Sequence, residues 1–177
     1  MAEHRAVVAL GANLPSVAGS PLQTLAAALA ELQVLSMEPV VYSSPYCSKP
    51  ADCEPGAADF INAVALLSPR PDLDPHGLLA ALLQIEENFG RERHPDGRRS
   101  RTLDLDLVCW GQRQVASADL VLPHPRATVR SFVLAPLVEL VPDFQLPGAP
   151  VSVRELLSSL PTAGDELQRL SWPQVSY

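Results

Sequence analysis

The residues best suited to chemistry are two aspartates, Asp104 and Asp106, in the segment 101–108 (RTLDLDLV). Apolar and other residues alternate there with the period of a strand that buries one face. The two carboxylates would share the other face, about 7 Å apart. Carboxylates this close repel each other and resist burial, and a divalent cation removes both penalties. Since oxygen ligands suit Mg²⁺, the pair predicts a magnesium site; the alternative is an exposed strand face with both aspartates solvated.

An arginine-rich segment, 91–101, lies directly upstream and holds five of the thirteen Lys and Arg residues of the chain. It also contains the turn-forming residues His94, Pro95, Asp96 and Gly97, which predict a loop. Guanidinium groups beside metal-binding carboxylates are the combination that a polyphosphate requires. Taken alone, the arginine run is also typical of a solvated surface loop.

A second pair of interest, Phe60 and Asn62, lies on a predicted strand over 59–67. Because the two residues are two positions apart, they share one face of that strand. An aromatic ring beside an amide could hold a flat heteroaromatic ring by stacking and paired hydrogen bonds. The alternative is that Phe60 belongs to the core and Asn62 satisfies a turn.

Composition limits the kind of protein. The chain has 177 residues, 47% of them hydrophobic, and a net charge of −7. This length predicts one domain, and no apolar run approaches about 20 residues, so no membrane span is expected. The negative charge argues against nucleic-acid binding, so the local arginine run should bind a small anion. Three cysteines without metal-site spacing predict free thiols in a cytoplasmic protein.

Helix starts and strand patterns define a fold class. Ser20 and Gln23 form a capping box around one helix start, and Asp74 caps another. The predicted elements are, in order, a strand at 6–10, a helix from 21, a strand from 40 toward 46, a strand at 59–67, a helix from 75, the strand of the aspartates, a weak strand near 115, and helices at 132–140 and 153–160. The first six predict an α+β fold, a ferredoxin-like split βαβ with an antiparallel sheet and helices on its faces. We expect a single domain, 1–177, with a helical extension at 149–177.

Six short motifs occur in a fixed order: LGANL at 10–14, DFINA at 59–63, IE at 85–86 followed by GRER at 90–93, RTLDLD at 101–106, LPH at 122–124 and RSF at 130–132. Together they resemble the 6-hydroxymethyl-7,8-dihydropterin pyrophosphokinases of folate biosynthesis, over about residues 6–148. The resemblance implies transfer of the β,γ-pyrophosphoryl group of ATP to the hydroxymethyl group of the pterin, with release of AMP. It also implies two Mg²⁺ ions held by Asp104 and Asp106.

The resemblance assigns roles to further positions. The implied catalytic residues are Arg91, Arg101, Asp104 and Asp106. The implied ATP contacts are Glu86, Arg91, Arg93, Arg101, His124 and Arg130. The implied pterin contacts are Ser44, Phe60, Asn62 and Phe132. We expect small-molecule substrates, no nucleic-acid partner, no membrane association and a monomer.

Two other functions are compatible with the same residues. A ferredoxin-like sheet with paired aspartates also serves two-metal nucleotidyltransferases and nucleases. A pterin- or nucleotide-binding paralogue with weakened activity would keep the same binding residues. The sequence contains neither a P-loop motif nor a Ser-His-Asp or Cys-His pattern, so arginines, metal and loop backbone would have to bind the phosphates.

Overall fold

The computed structural model describes residues 5–50, 55–92, 100–161 and 167–173. The elements are, in chain order, β1 (Ala6–Ala12), α1 (Pro21–Val34), β2 (Val41–Tyr42), β3 (Tyr46–Ser48), β4 (Phe60–Leu67), α2 (Pro75–Asn88), β5 (Asp104–Trp110), β6 (Val115–Ala116), β7 (Val121–Leu122), a 3₁₀ turn (Ala127–Val129), α3 (Ser131–Leu140), α4 (Val153–Ser159) and β8 (Gln168–Arg169). In this part of the chain, no helix is long and apolar enough to cross a membrane.

The main sheet is antiparallel, with strand order β5-β1-β4-β3-β8, and β2 also pairs with β4. Strand β4 lies between β1 and β3, and helix α1 connects those two outer strands by way of β2. This arrangement is the split βαβ unit, and the β-α-β-β-α-β order confirms the predicted α+β, ferredoxin-like fold. The short strands β6 and β7 form a separate hairpin.

Helices cover both faces of the sheet. Helices α1 and α2 place Leu25, Leu32, Leu78 and Leu82 on one face, where alternate residues of β1, β4 and β5 are also buried. Helices α3 and α4 pack on the opposite face, on a second cluster that includes Val7, Val64, Leu66, Val108 and Leu134. Strands β1, β4 and β5 are therefore mostly buried on both faces, whereas the short strands β2 and β8 are exposed.

Local capping explains where the two long helices begin. The Ser20 side chain accepts from the Gln23 backbone, and the Gln23 side chain accepts in return from the Ser20 backbone, so the predicted capping box is present. Asp74 accepts from the backbone N–H of Gly77 at 2.7 Å. Each such cap contributes about 1 kcal/mol to helix stability.

The strand predicted from Val40 toward Tyr46 is two short strands, β2 and β3, with a break between them. At the break, the hydroxyl of Ser43 accepts from the N–H of Val64 at 3.1 Å, in place of a backbone carbonyl. Pro45 follows two residues later and has no N–H to donate. The ladder is interrupted here, which shifts the positions of the residues that follow.

The C-terminal segment, expected to be a helical extension over 149–177, carries α4 and also the strand β8. Strand β8 pairs with β3, with Arg169 opposite Tyr46. The indole N–H of Trp172 donates to the carbonyl of Ser43 at 2.9 Å, and the Trp172 ring meets Tyr42 edge-on at 5.6 Å. This segment therefore holds the edge of the sheet at the break between β2 and β3.

Candidate active site

The paired aspartates lie at the start of β5, on the sheet face that α3 and α4 share. Leu103, Leu105 and Leu107 are buried against α1 and α2. Alternation along the strand then puts Asp104 and Asp106 on the opposite face, as the sequence predicts. Their neighbours across the central strand are Gly11, opposite Asp104, and Ala9, opposite Asp106.

Two arginines converge on Asp104. One terminal nitrogen of Arg91, Nη1, donates to Asp104 Oδ1 and also to the carbonyl of Leu103 at 2.9 Å. Arg101 Nη1 donates to the other oxygen, Asp104 Oδ2, at 2.7 Å. The side chains of Arg91, Arg101 and Asp104 are largely buried, so these charges attract each other more strongly than they would in water.

Glu86 lies behind the site, on helix α2, and is 2% exposed. Its Oε1 accepts from the backbone N–H of Leu105 at 2.7 Å and from Arg91 Nη1 at 3.1 Å. Burial acts to lower the pKa of Arg91, but the carboxylates of Asp104 and Glu86 outweigh it, so this pKa is raised. Glu86 therefore fixes a permanently charged Arg91 against β5, and its direct contact with ATP remains a prediction.

Asp106 has a different set of neighbours. Arg130 Nη1 lies 3.3 Å from Asp106 Oδ2, and His124 Nε2 lies 3.9 Å from the same oxygen. Burial and the charge of Asp104 raise the pKa of Asp106, against the opposing effect of His124 and Arg130. Burial also lowers the pKa of His124, although Asp106 acts in the other direction. Asp106 is thus a carboxylate that a bound cation would stabilise.

Two phenylalanines flank this cluster of charges. The guanidinium carbon of Arg101 lies 5.4 Å from the centre of the Phe60 ring, and that of Arg130 lies 5.4 Å from the centre of the Phe132 ring. Each arginine therefore joins an aspartate to an aromatic ring. Phe132 lies in the first turn of α3, and Phe60 begins β4, so the two rings come from different layers of the fold.

Asn62 is buried beside Phe60 and has a fixed orientation. Its Nδ2 donates to Ser48 Oγ at 2.9 Å and lies 3.5 Å from the carbonyl of Tyr46. A β-carbon added at Gly11 would lie 3.4 Å from Asn62 Oδ1 and 3.9 Å from both Phe60 and Asp104. Gly11 thus leaves space between Asn62 and Phe60 on one side and Asp104 on the other.

Two sequence-predicted residues, Ser44 and Arg93, need separate comment. Ser44 makes other contacts in the structure: its hydroxyl donates to Glu139 Oε1 at 3.0 Å and accepts from Arg169 at 2.9 Å. Glu139 is near the end of α3, whereas Phe132 is in its first turn, so the Ser44 hydroxyl is bound near the other end of this helix, and its contact with the pterin remains a prediction. Arg93 lies outside the described residues.

Ser48 and Asn13 are site residues that the sequence reasoning missed. Ser48 pairs with Phe60 in the ladder and orients the Asn62 amide. Its position depends on the break between β2 and β3, for which the sequence gives only the weak signal of Pro45. Asn13 contacts Arg101, and its only signal is the motif at 10–14.

The site has free hydrogen-bonding capacity. Within the described residues, Arg101 Nε and Thr102 Oγ1 are buried and have no hydrogen-bond partner. No group of three or more His, Cys, Asp or Glu side chains in the described part of the chain could hold a metal ion. Mg²⁺, however, usually keeps waters and binds through one or two carboxylates plus substrate phosphates. The donor set of Asp104 and Asp106 therefore fits magnesium that arrives with a nucleotide.

Paired carboxylates, converging guanidinium groups and an adjacent aromatic pair define a protein built to handle a phosphate-rich anion next to a flat ring. Residues 7–142 match the family model described as 7,8-dihydro-6-hydroxymethylpterin-pyrophosphokinase (HPPK). The chain belongs to this family.

Curated relatives of similar length support this family assignment. A 2-amino-4-hydroxy-6-hydroxymethyldihydropteridine pyrophosphokinase of Synechocystis is 40% identical over 158 residues, which are 89% of this chain and 76% of that protein. The protein of the same name from Pseudomonas aeruginosa is 40% identical over 168 residues, 92% of this chain and 96% of that protein. The relative from Haemophilus influenzae is 37% identical over 149 residues, 82% of this chain and 87% of that protein.

Solved structures support the fold. The crystal structure of Plasmodium falciparum HPPK-DHPS with pteroate superposes with a TM-score of 0.69 at 14% sequence identity, over 88% of this chain. The chain spans 44% of the length of that protein. At this identity the likeness concerns the fold alone.

Proposed function

We propose that this protein transfers the β,γ-pyrophosphoryl group of ATP to the hydroxymethyl oxygen of 6-hydroxymethyl-7,8-dihydropterin. The products are AMP and the pterin diphosphate, a precursor in folate synthesis. Membership of the family supports the reaction and its substrates. We further propose that the enzyme acts as a monomer in the cytoplasm; the free thiols of Cys47 and Cys109 fit that reducing compartment.

The single observation that carries the proposal is the convergence of three arginines on two carboxylates. Arg91, Arg101 and Arg130 come from three different segments, and all three meet the start of β5. Without a polyanion, the arginines pair with the aspartates. When ATP binds, its phosphates would take over these guanidinium groups, because charge-assisted bonds to phosphate oxygens are strong and bidentate.

Asp104 and Asp106 would hold the magnesium ions, two in number by analogy with the family. Bound there, the ions would neutralise negative charge on the phosphates of ATP. The raised pKa of Asp106 fits this role, because burial and the neighbouring Asp104 charge disfavour its ionised form in the absence of a cation.

The remaining residues would position the acceptor. Phe60 and Phe132 would enclose the flat pterin ring, and Asn62, oriented by Ser48, would bind the edge of the ring through hydrogen bonds. The acceptor hydroxyl would then face the carboxylate edge across Gly11. Holding both substrates in this geometry is the main contribution to rate, because phosphoryl-type transfer needs positioning and charge neutralisation more than covalent catalysis.

The experiment is to incubate the protein with Mg²⁺, ATP and 6-hydroxymethyl-7,8-dihydropterin and to separate the nucleotides by ion-exchange chromatography. The proposal predicts AMP in equal amount to the pterin consumed, and no AMP when the pterin is left out. ADP as the product would indicate an ordinary kinase. Pterin binding without AMP would identify a binding paralogue instead.

A further inference from the structure

One side chain of the site has no role in the reaction described above: that of Asn13, in the loop after β1. We propose that Asn13 is a positioning residue that holds Arg101 in place for phosphate binding. The proposal rests on the function proposed above, because it assigns Asn13 a part in the same reaction.

The backbone of Arg101 is held on both sides by this loop. Its N–H donates to Asn13 Oδ1 at 2.7 Å. Its carbonyl accepts from the backbone N–H groups of Asn13 and Leu14, each at 3.1 Å. Three hydrogen bonds therefore fix a residue that lies outside any strand or helix.

The NH₂ group of the Asn13 side chain makes two further contacts, one of them to another segment. Its Nδ2 donates to the carbonyl of Ala58 at 3.1 Å and to Ser100 Oγ at 2.9 Å. The orientation of the amide is determined, because the N–H of Arg101 can only donate and the carbonyl of Ala58 can only accept. Only an amide side chain of this length supplies both an acceptor for the N–H of Arg101 and donors for Ala58 and Ser100.

These contacts place Asn13 between the two halves of the site. Ala58 lies two residues before Phe60, and Arg101 lies three residues before Asp104. The side chain of Arg101 donates to Asp104 and lies over the Phe60 ring. Asn13 is 4% exposed, so water cannot readily replace its hydrogen bonds if the amide is removed. Loss of the amide should therefore release Arg101 from its position without removing any group that contacts substrate.

A double-mutant cycle tests this role. Asn13→Ala should lower kcat by about 100-fold, the effect of a displaced catalytic group. In an Arg101→Ala background, which keeps the backbone contacts, the same change should cause no further loss. An equal loss in both backgrounds would overturn the proposal, because Asn13 would then not act through Arg101.

A matched control separates positioning from general destabilisation. Thr24 lies on α1, which follows the same loop, and is away from Arg101. Thr24→Val removes the buried hydrogen bonds that Thr24 Oγ1 makes with Ser16 and Ser20. This variant should keep kcat. Asn13→Asp provides a second variant that keeps an acceptor for the N–H of Arg101, and it should lose less kcat than Asn13→Ala. A loss of kcat in Thr24→Val as large as that in Asn13→Ala would contradict the proposal.

A readout without activity keeps the two proposals distinguishable. Hydrogen exchange of the Arg101 amide, followed by NMR, should be slow in the parent protein and in Thr24→Val and fast in Asn13→Ala. If the parent makes no AMP but shows this pattern, the proposed function fails, while the positioning of Arg101 by Asn13 still holds. If the Arg101 amide exchanges equally fast in the parent and in Asn13→Ala, the proposal that Asn13 positions Arg101 is refuted.

Discussion

Asp104 and Asp106 are two residues apart, yet their surroundings differ. Asp104 is bound by Arg91 and Arg101, whereas Asp106 has Arg130 at 3.3 Å and His124 at 3.9 Å. Burial and Asp104 raise the pKa of Asp106, so His124 and Arg130 compensate its ionised form only in part. A polyphosphate with its cation would complete that compensation.

Replacement of Asp106 tests this assignment. Asp106→Asn should abolish AMP formation, because an amide is a poor magnesium ligand, and should leave pterin affinity nearly unchanged by calorimetry. Asp143→Asn is a suitable control, since Asp143 is exposed and pairs only loosely with Arg154 at 3.6 Å. Parent-like turnover of Asp106→Asn at saturating Mg²⁺ would refute the role of this carboxylate.

Replacement of Arg101 tests charge stabilisation. Arg101→Ala should raise the barrier by about 2–4 kcal/mol, the usual effect of losing one group that stabilises transition-state charge. The value is measured from kcat/KM for ATP, with Arg154→Ala, an exposed arginine, as the control. Equal kcat/KM values in the two variants would argue against a catalytic Arg101.

The thiol of Cys109 provides a test of burial that does not depend on function. Burial raises the pKa of the Cys109 thiol to about 12 from an ordinary value of 9.0. The folded state therefore retains a proton that the unfolded state loses, and stability from this group falls as pH rises above about 9. Because only the thiolate reacts, alkylation by iodoacetamide at pH 8 should modify Cys47, which is partly exposed, well before Cys109. Mass spectrometry of the two peptides measures this, and equal rates in the folded protein would contradict the packing of β5.

At the level of elements, strand β3 separates two serines with different tasks. Ser48 orients the Asn62 amide, whereas Ser44 joins Glu139 and Arg169 in the contacts that hold the C-terminal strand. Both hydroxyls are hydrogen-bonded, so each change to alanine removes a comparable interaction. The interaction of Ser48 supports a predicted pterin contact, whereas those of Ser44 support the packing of β8.

Paired variants test this difference. Ser48→Ala should raise KM for the pterin, because the Asn62 amide would lose the acceptor that orients it. Ser44→Ala should leave KM for the pterin unchanged and lower the free energy of unfolding by about 1 kcal/mol in urea titration. A rise in KM for Ser44→Ala as large as that for Ser48→Ala would contradict this difference and support a contact between the Ser44 side chain and the pterin.

Much of this architecture could be predicted from local sequence patterns. The alternation around Asp104 predicts β5, and the capping residues Ser20 and Asp74 predict the starts of α1 and α2, because both signals act within a few residues. Phe60 and Asn62 share a strand face with Val64 for the same reason.

What could not be predicted depends on contacts distant in sequence. Strand β8 has only two residues, Gln168–Arg169, and forms because β3 offers a free edge more than 100 residues earlier in the chain. Asn13 meets Arg101 across 88 positions. The contact of Ser48 with Asn62 depends on a break in the ladder at Ser43, where a side chain replaces a backbone acceptor.

At the level of the whole molecule, the fold concentrates cationic side chains at one edge of an acidic protein. The net charge is −7, yet Arg91, Arg101 and Arg130 meet at the start of β5. The negative remainder of the surface would repel nucleic acid, and the local cluster would still attract a small polyanion. This distribution favours binding of a small polyanion such as ATP over binding of a polynucleotide.

The central claim is that two phosphoryl groups move together from ATP to the pterin. A single-turnover reaction with ATP labelled with ³²P at the β-phosphate tests it most directly, with the products separated by chromatography. The account predicts that the label moves to the pterin in step with the appearance of unlabelled AMP. Label that remains in ADP, or that is released as free pyrophosphate while the pterin stays unmodified, would contradict it.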